Sequence, residues 1–229
     1  MKNNKYPIIT SSLFEKKRAC DKLIKESTPS KEFYFLLVAA SFLAASGIAV
    51  DSPAIIIGAM LIAPLLSSFL VIGLGIVISN SNLSLKRAIT TLKALAVSIF
   101  TAFVASFFLR FKEIDPQLLI KESFVEFLFI SFAAGLVGTY IWVRSDLQNI
   151  ASGVLVAVTI LPPLASFGLG MGLLNKEVIS NSFLFFTINS FGLLLGSIVM
   201  FSLFGFASDL GSIEETVEEK LEEYEKKED

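Results

Sequence analysis

From position 33 to position 206 the chain is a succession of apolar runs, each about eighteen residues or longer, separated by short polar interruptions. A run of that length spans the ~30 Å hydrocarbon layer of a bilayer as a helix. Six spans follow: about 33–50, 54–79, 88–109, 123–143, 148–174 and 179–206. The pattern predicts an all-α, polytopic membrane helix bundle. It divides the chain into a leader, 1–32, a transmembrane domain, 33–206, and a tail, 207–229. The second and fifth spans, about 26 residues each, exceed the roughly 20 that a straight crossing needs. Asp51, two residues before Pro53, is expected to cap the second span, and Asp146 the fifth.

Those two long spans also carry the residues that a helix interior disfavours. "GAMLIAPLLSSFLVIGLGI", 58–76, holds Pro64, Gly73 and Gly75; "GVLVAVTILPPLASFGLGM", 153–171, holds Pro162, Pro163, Gly168 and Gly170. A shift of 95 positions aligns the two without a gap. Eight of the 30 positions from 51 to 80 are then identical, Asp51, Gly73-Leu74-Gly75 and Asn80 among them. So narrow a composition gives about three by chance. Each copy contains three spans (about 33–109 and 123–206), so the second enters the membrane from the opposite side. Two inverted three-helix repeats with interrupted second and fifth helices are therefore expected. In secondary transporters such interruptions meet near the middle of the bilayer and form the site.

Proline removes a backbone donor, and an unsatisfied backbone group in lipid costs several kcal/mol, so breaks survive beside protein or water. Pro64 with Ser67 and Ser68, and Thr159 with Pro162, Pro163 and Ser166, are the candidate pathway residues, together with the four glycines. A half-helix that starts after a break points its positive end inward, which favours anions. The plainer reading is that Gly and Pro are common in membrane helices, and that the glycines are packing notches.

Composition sharpens this picture. Hydrophobic residues make up 54% of the chain and charged residues 17%, and the mean hydropathy is +0.72. No histidine occurs, which removes the commonest metal ligand and general base. Without it, and without a carboxylate in mid-span, neither a serine–histidine arrangement nor an aspartyl pair can be assembled, so no enzyme, metal or cofactor is expected. The single Cys20 excludes an internal disulfide and suits a reducing compartment. The net charge of −2 hides a leader of +4 and a tail of −7. Basic residues in the leader, Lys86, Arg87 and Arg144 place both termini in the cytoplasm of a cell (inner) membrane by the positive-inside rule.

Inside the spans, Lys93 lies about 8 Å deep at 1.5 Å per residue, where it can snorkel or attract an anion. Glu126 is similarly shallow. Asn189, near the middle of the sixth span beside Thr187 and Ser190, must bond a neighbouring helix or a substrate.

"DSPAIIIGAMLIAPLLSSFLVIGLGI", "SGVLVAVTILPPLASFGLGM" and "FFTINSFGLLLGSI" resemble the uncharacterised hydrophobic-domain family catalogued as domain of unknown function number 389, over roughly 33–206. The resemblance implies a bacterial or archaeal multi-pass membrane protein and no particular activity. Members of that family carry a second proline where this chain has Ser67-Ser68.

The ends suggest partners. The leader forms a basic amphipathic helix, with Leu13, Phe14, Cys20, Leu23 and Ile24 loosely on one side, suited to anionic lipid headgroups. The tail opens with Ser212 and Glu215 at capping-box spacing. Its narrow stripe Ile213, Val217, Leu221 and Tyr224 is suited to a homo-oligomeric seam. Nucleic acid has no basis here. The expected function is a transporter or channel for a small ion or solute, anion before cation; the alternative is a membrane scaffold or signalling subunit acting through its ends.

Overall fold

A computed structural model describes residues 8–9, 11–109, 124–144 and 154–226, with the side chains of 154–159 and 225 outside that description. Helices alone build it: no strand occurs among the described residues. In chain order these are α1 Leu13–Ser27, α2 Lys31–Ala49, α3 Pro53–Ile62, α4 Leu65–Val77, α5 Ser81–Phe108, α6 Phe124–Val143, α7 Val154–Gly172 and α8 Lys176–Leu203. A 3₁₀ turn, Phe206–Asp209, leads into α9, Leu210–Glu225. Four of them (α2, α5, α6 and α8) are long and apolar enough to cross a membrane, and α3 with α4 makes a fifth if that bent pair is one span.

α7 packs against six other helices. It packs against α5 and α8 most extensively, and also against α2, α3, α4 and α6. Ile160, Leu161, Leu164, Ala165 and Leu169 are all buried on it. Close contacts give the directions of its neighbours. Gly168 of α7 meets Ile99 and Ala102 of α5, and Gly172 meets Ser106 further along, so α5 and α7 run the same way. Gly192 of α8 meets Ser131 of α6 and Gly196 meets Phe132 and Leu136, so these two also run together. The hairpins α4–α5 and α7–α8 reverse direction, hence α4 and α8 run parallel.

The shift of 95 positions recurs in three dimensions. α5 and α8 are both 28 residues long and occupy the same interval after that shift, and α4 and α7 end at equivalent residues. The turns match bond for bond. Asn80 N–H donates to Gly75 O (2.9 Å), as Asn175 N–H does to Gly170 O (3.0 Å). Ser79 and Leu174, both at positive φ (57° and 55°), precede the Asn residues, whose side chains cap α5 and α8. Asn accepts N–H groups at a helix start better than most residues, so identical Asn residues at identical spacing build identical turns. Contacts between the halves are reciprocal too: Gly73 lies against Ser197, and Gly168 against Ala102, which is the same pair after exchange.

Three expectations need correction. The second span is interrupted as expected, but α7 runs as one α-helix through Pro162 and Pro163. The prolines cost the carbonyls of Val158 and Thr159 their usual donors, yet packing on all sides holds the helix through them. Asp51 is not the cap of α3: it takes φ 53° in the preceding turn, and Ser52 stands at the N-cap without a side-chain bond. Asp146 lies outside the described residues. The Ser212–Glu215 capping box does not form, because Leu210 already begins α9 and Ser212 lies within it. A capping box forms instead at Ser12 and Glu15, where Ser12 N–H donates to Glu15 Oε2 (2.7 Å) and Glu15 N–H to Ser12 Oγ (3.2 Å). That bonding holds the Glu15 carboxyl below the usual carboxylate range.

Leader and tail pack together on one end of the bundle. Ile213, Val217 and Leu221 of the tail stripe are buried in the same apolar cluster as Ala19, Cys20, Leu23 and Ile24 of α1. Lys16 Nζ reaches Asp209 Oδ2 (2.7 Å) and the Gly205 carbonyl (3.0 Å) at the end of α8, and Tyr224 Oη donates to Asp21 Oδ1 (3.0 Å). The opposite charges of the two ends thus meet within one chain.

Candidate functional site

Pro64 creates the one place where a helix starts in the described interior of the bundle. Its ring nitrogen has no hydrogen for the Met60 carbonyl, and it drives the preceding residue out of the α region. Ala63 accordingly sits at ψ 122° and closes α3, and Pro64, at φ −85° and ψ 27°, stands at the N-cap of α4. The two halves of the span meet at a 52° bend.

α4 begins without a side-chain cap. Its first residues are buried all the same: Leu65 3%, Ser67 3% and Ser68 2% exposed. The first N–H groups of a helix have no intrahelical acceptor, and they carry the positive end of its dipole. Ser67 Oγ is committed to carbonyls, those of Glu26 in α1 (3.2 Å) and Pro64 (3.2 Å). Ser68 Oγ, one position on, is buried with no hydrogen-bond partner.

The neighbouring helix also carries an unpartnered hydroxyl, on the side that meets Leu66. Because α4 and α8 run parallel with Gly73 against Ser197, two turns back along both brings Ser190 level with Leu66. Ser190 Oγ is also buried and unpartnered. Chemically, a helix start with spare N–H groups and the spare Ser68 hydroxyl can hold a small anion or a polar solute. Groups of three or more metal-binding side chains are absent among the described residues.

The other predicted residues divide clearly. Ser166 (2% exposed) lies on α7 and Asn189 (2%) on α8, both packed inside the bundle that includes α4. Thr159 is helical, but its side chain lies outside the described residues. Pro162 and Pro163 line no break. Gly73, Gly75, Gly168 and Gly170 are close-approach points, where a Cβ would strike Ser197, Ser84, the Ile99 carbonyl and Val178 respectively. Lys93 is exposed on the outer face of α5. The sequence marks Ser190 only as a neighbour of Asn189 in "FFTINSFG", and Arg87 only as a topogenic charge. Arg87 is in fact buried at 3% and donates to the Ser27 carbonyl (3.1 Å) at the end of α1.

The cavities lie elsewhere. One is an open groove of about 780 Å³ between α2 and α5, and another of about 480 Å³ runs beside the α4–α5 turn. Neither is lined by Ser67, Ser68, Ser166 or Asn189.

An all-helical protein with several membrane-length apolar helices and a helix pair bent at a proline is the class that these observations define. Over residues 60–195 the chain matches the family described as "Domain of unknown function (DUF389)", and it belongs to that family. It is similar to an uncharacterised protein of Methanocaldococcus jannaschii, at 32% identity over 213 residues, covering 88% of this chain and 65% of that one. The chain thus spans somewhat under two thirds of the length of that relative. No solved structure matches it.

Proposed function

We propose that the protein moves a small ion or solute across a cell membrane, an anion before a cation, past the start of α4. The observation that carries this reading is a buried, uncapped helix N-terminus beside the unpartnered Ser68 hydroxyl. Its two halves are taken as inverted repeats, which the reciprocal Gly73–Ser197 and Gly168–Ala102 contacts support. Close packing around the break corresponds to a closed state, and opening takes place at the Ala63–Pro64 hinge. Both ends of the chain face the cytoplasm, in keeping with the basic residues of α1. The protein works as a homo-oligomer whose contacts lie on the helix faces, since the tail stripe is engaged within the chain.

Flux from proteoliposomes against a panel of small anions, cations and neutral solutes tests this. At least one anion is expected to move. Ser68→Leu is expected to cut its flux by about tenfold or more, since it removes a hydrogen bond to charge and fills the space. Absence of flux for every member of the panel refutes the reading.

A second reading, a scaffold or signalling subunit, is favoured by the close-packed glycines of α6 and α8. It requires a soluble partner recovered through α9 and no flux in the same liposomes.

A further inference from the structure

The two halves differ where the first and third helices of each meet. In the second half, Gly192 and Gly196 let α8 press against the backbone of α6. The equivalent positions of the first half, after the shift of 95, are Val97 and Thr101, and both line the groove of about 780 Å³ between α2 and α5. A branched side chain stands where a glycine would have let the helices close. The groove is therefore a property of this half's sequence, and the repeated fold does not require it.

Its walls are almost wholly apolar. Phe35 and Phe42 of α2 and Phe100 and Phe108 of α5 form its sides, exposed by 73%, 44%, 65% and 77% respectively. Its one polar lining group, the Thr101 hydroxyl, is satisfied by the Val97 carbonyl (2.8 Å). At one end the chemistry changes. A smaller groove lined by Lys31, Glu32, Phe35 and Leu36 shares Phe35 with the large one. On α5, Lys93 is exposed and lies three, four and seven residues before Ala96, Val97 and Phe100, hence on the same face as the groove. Two ammonium groups, one from each wall, thus stand at the end nearer α1, with a long apolar channel leading away. Glu32, beside Lys31, is bonded to Ser30 and its own backbone N–H.

We propose that this groove is a binding site for one anionic phospholipid, its acyl chains along the phenylalanines and its phosphate between Lys31 and Lys93. The charge pattern selects this occupant: a second helix bundle would have to bury both ammonium groups, whereas a phosphodiester neutralises them at the depth where headgroups lie. The same arrangement explains why a lysine occurs two turns inside an otherwise apolar stretch of α5. The inference does not depend on transport.

Native mass spectrometry of the full chain, released from nanodiscs of mixed phosphatidylglycerol and phosphatidylcholine, tests it. The intact protein is expected to retain one phosphatidylglycerol at least about fivefold in preference to phosphatidylcholine, the factor that one lysine near a membrane surface supplies. Lys31→Gln with Lys93→Gln is expected to abolish the preference while lipid of both kinds is still retained. Ala96→Trp, placed at an exposed groove position, is expected to reduce retention of both. Lys17→Gln with Arg18→Gln, in the leader, is expected to leave the preference intact. Equal retention of the two lipids by the intact protein, or an unchanged preference in the Lys31/Lys93 variant, overturns the proposal. So does a lipid-free dimer that Ala96→Trp splits into monomers, for then a second copy fills the groove.

Discussion

Lys16 carries its charge into the interior at 2% side-chain exposure, while its partner Asp209 remains 40% exposed. Substitutions of the two partners therefore have unequal effects. Lys16→Met leaves a carboxylate that water can still reach, and a loss of about 1 kcal/mol is expected. Asp209→Asn leaves a buried ammonium with the Gly205 carbonyl as its main partner, and about 3 kcal/mol is expected. Thermal unfolding in detergent of the two variants checks the order. Cys20, fully buried on α1, has its thiol pushed up to about 12 by that burial. A thiolate is the reactive form, so maleimide is expected to leave Cys20 untouched at pH 8 in the folded protein and to label it after unfolding in SDS. The sign of the pH dependence follows. The folded thiol titrates above the unfolded one, so its contribution is intact below about pH 8.5 and declines as the pH rises toward 12. In the sequence Lys16 was one of eight basic residues in the leader, and nothing local marked it. Its role depends on a residue 193 positions away.

At the scale of the element, proline and glycine meant different things in different places. Pro64 breaks its span, and Pro162-Pro163 do not break theirs, although they fall on Ser67-Ser68 when the repeats are aligned. The bond that each proline removes is the same. What differs is enclosure, since α3 keeps a largely exposed face whereas α7 is packed by six helices. The glycines proved to be contact points. A Cβ on Gly196 would strike the Phe132 carbonyl and the backbone of Leu136, so α6 and α8 must separate to admit it. Gly196→Ala is expected to cost about 1–3 kcal/mol, as overpacking does, visible as a lower melting temperature. Gly58, with open space around it, is expected to accept alanine at no cost, which provides the control.

Across the whole molecule, the leader and tail form a cap on one end of the bundle. α1 touches α4 just past the break through Ser67 and Glu26, and α9 covers the apolar side of α1. Deleting 211–229 is expected to expose Cys20 to maleimide and to lower the melting temperature, because Leu23 and Ile24 lose their cover. A truncated protein that melts like the intact one, with Cys20 still protected, refutes the cap.

Helix class, the break at Pro64 and the turn repeated 95 residues on were legible in the chain, because each rests on local chemistry: long apolar runs, a missing N–H, and Asn residues that rebuild one turn twice. The partners of the ends, the continuity of α7, the hydroxyl of Ser190 and the groove between α2 and α5 were decided only in three dimensions. Each of these depends on what a distant segment places alongside. A side chain's hydrogen bonds and burial belong to its neighbours in space, and the order of residues does not name them.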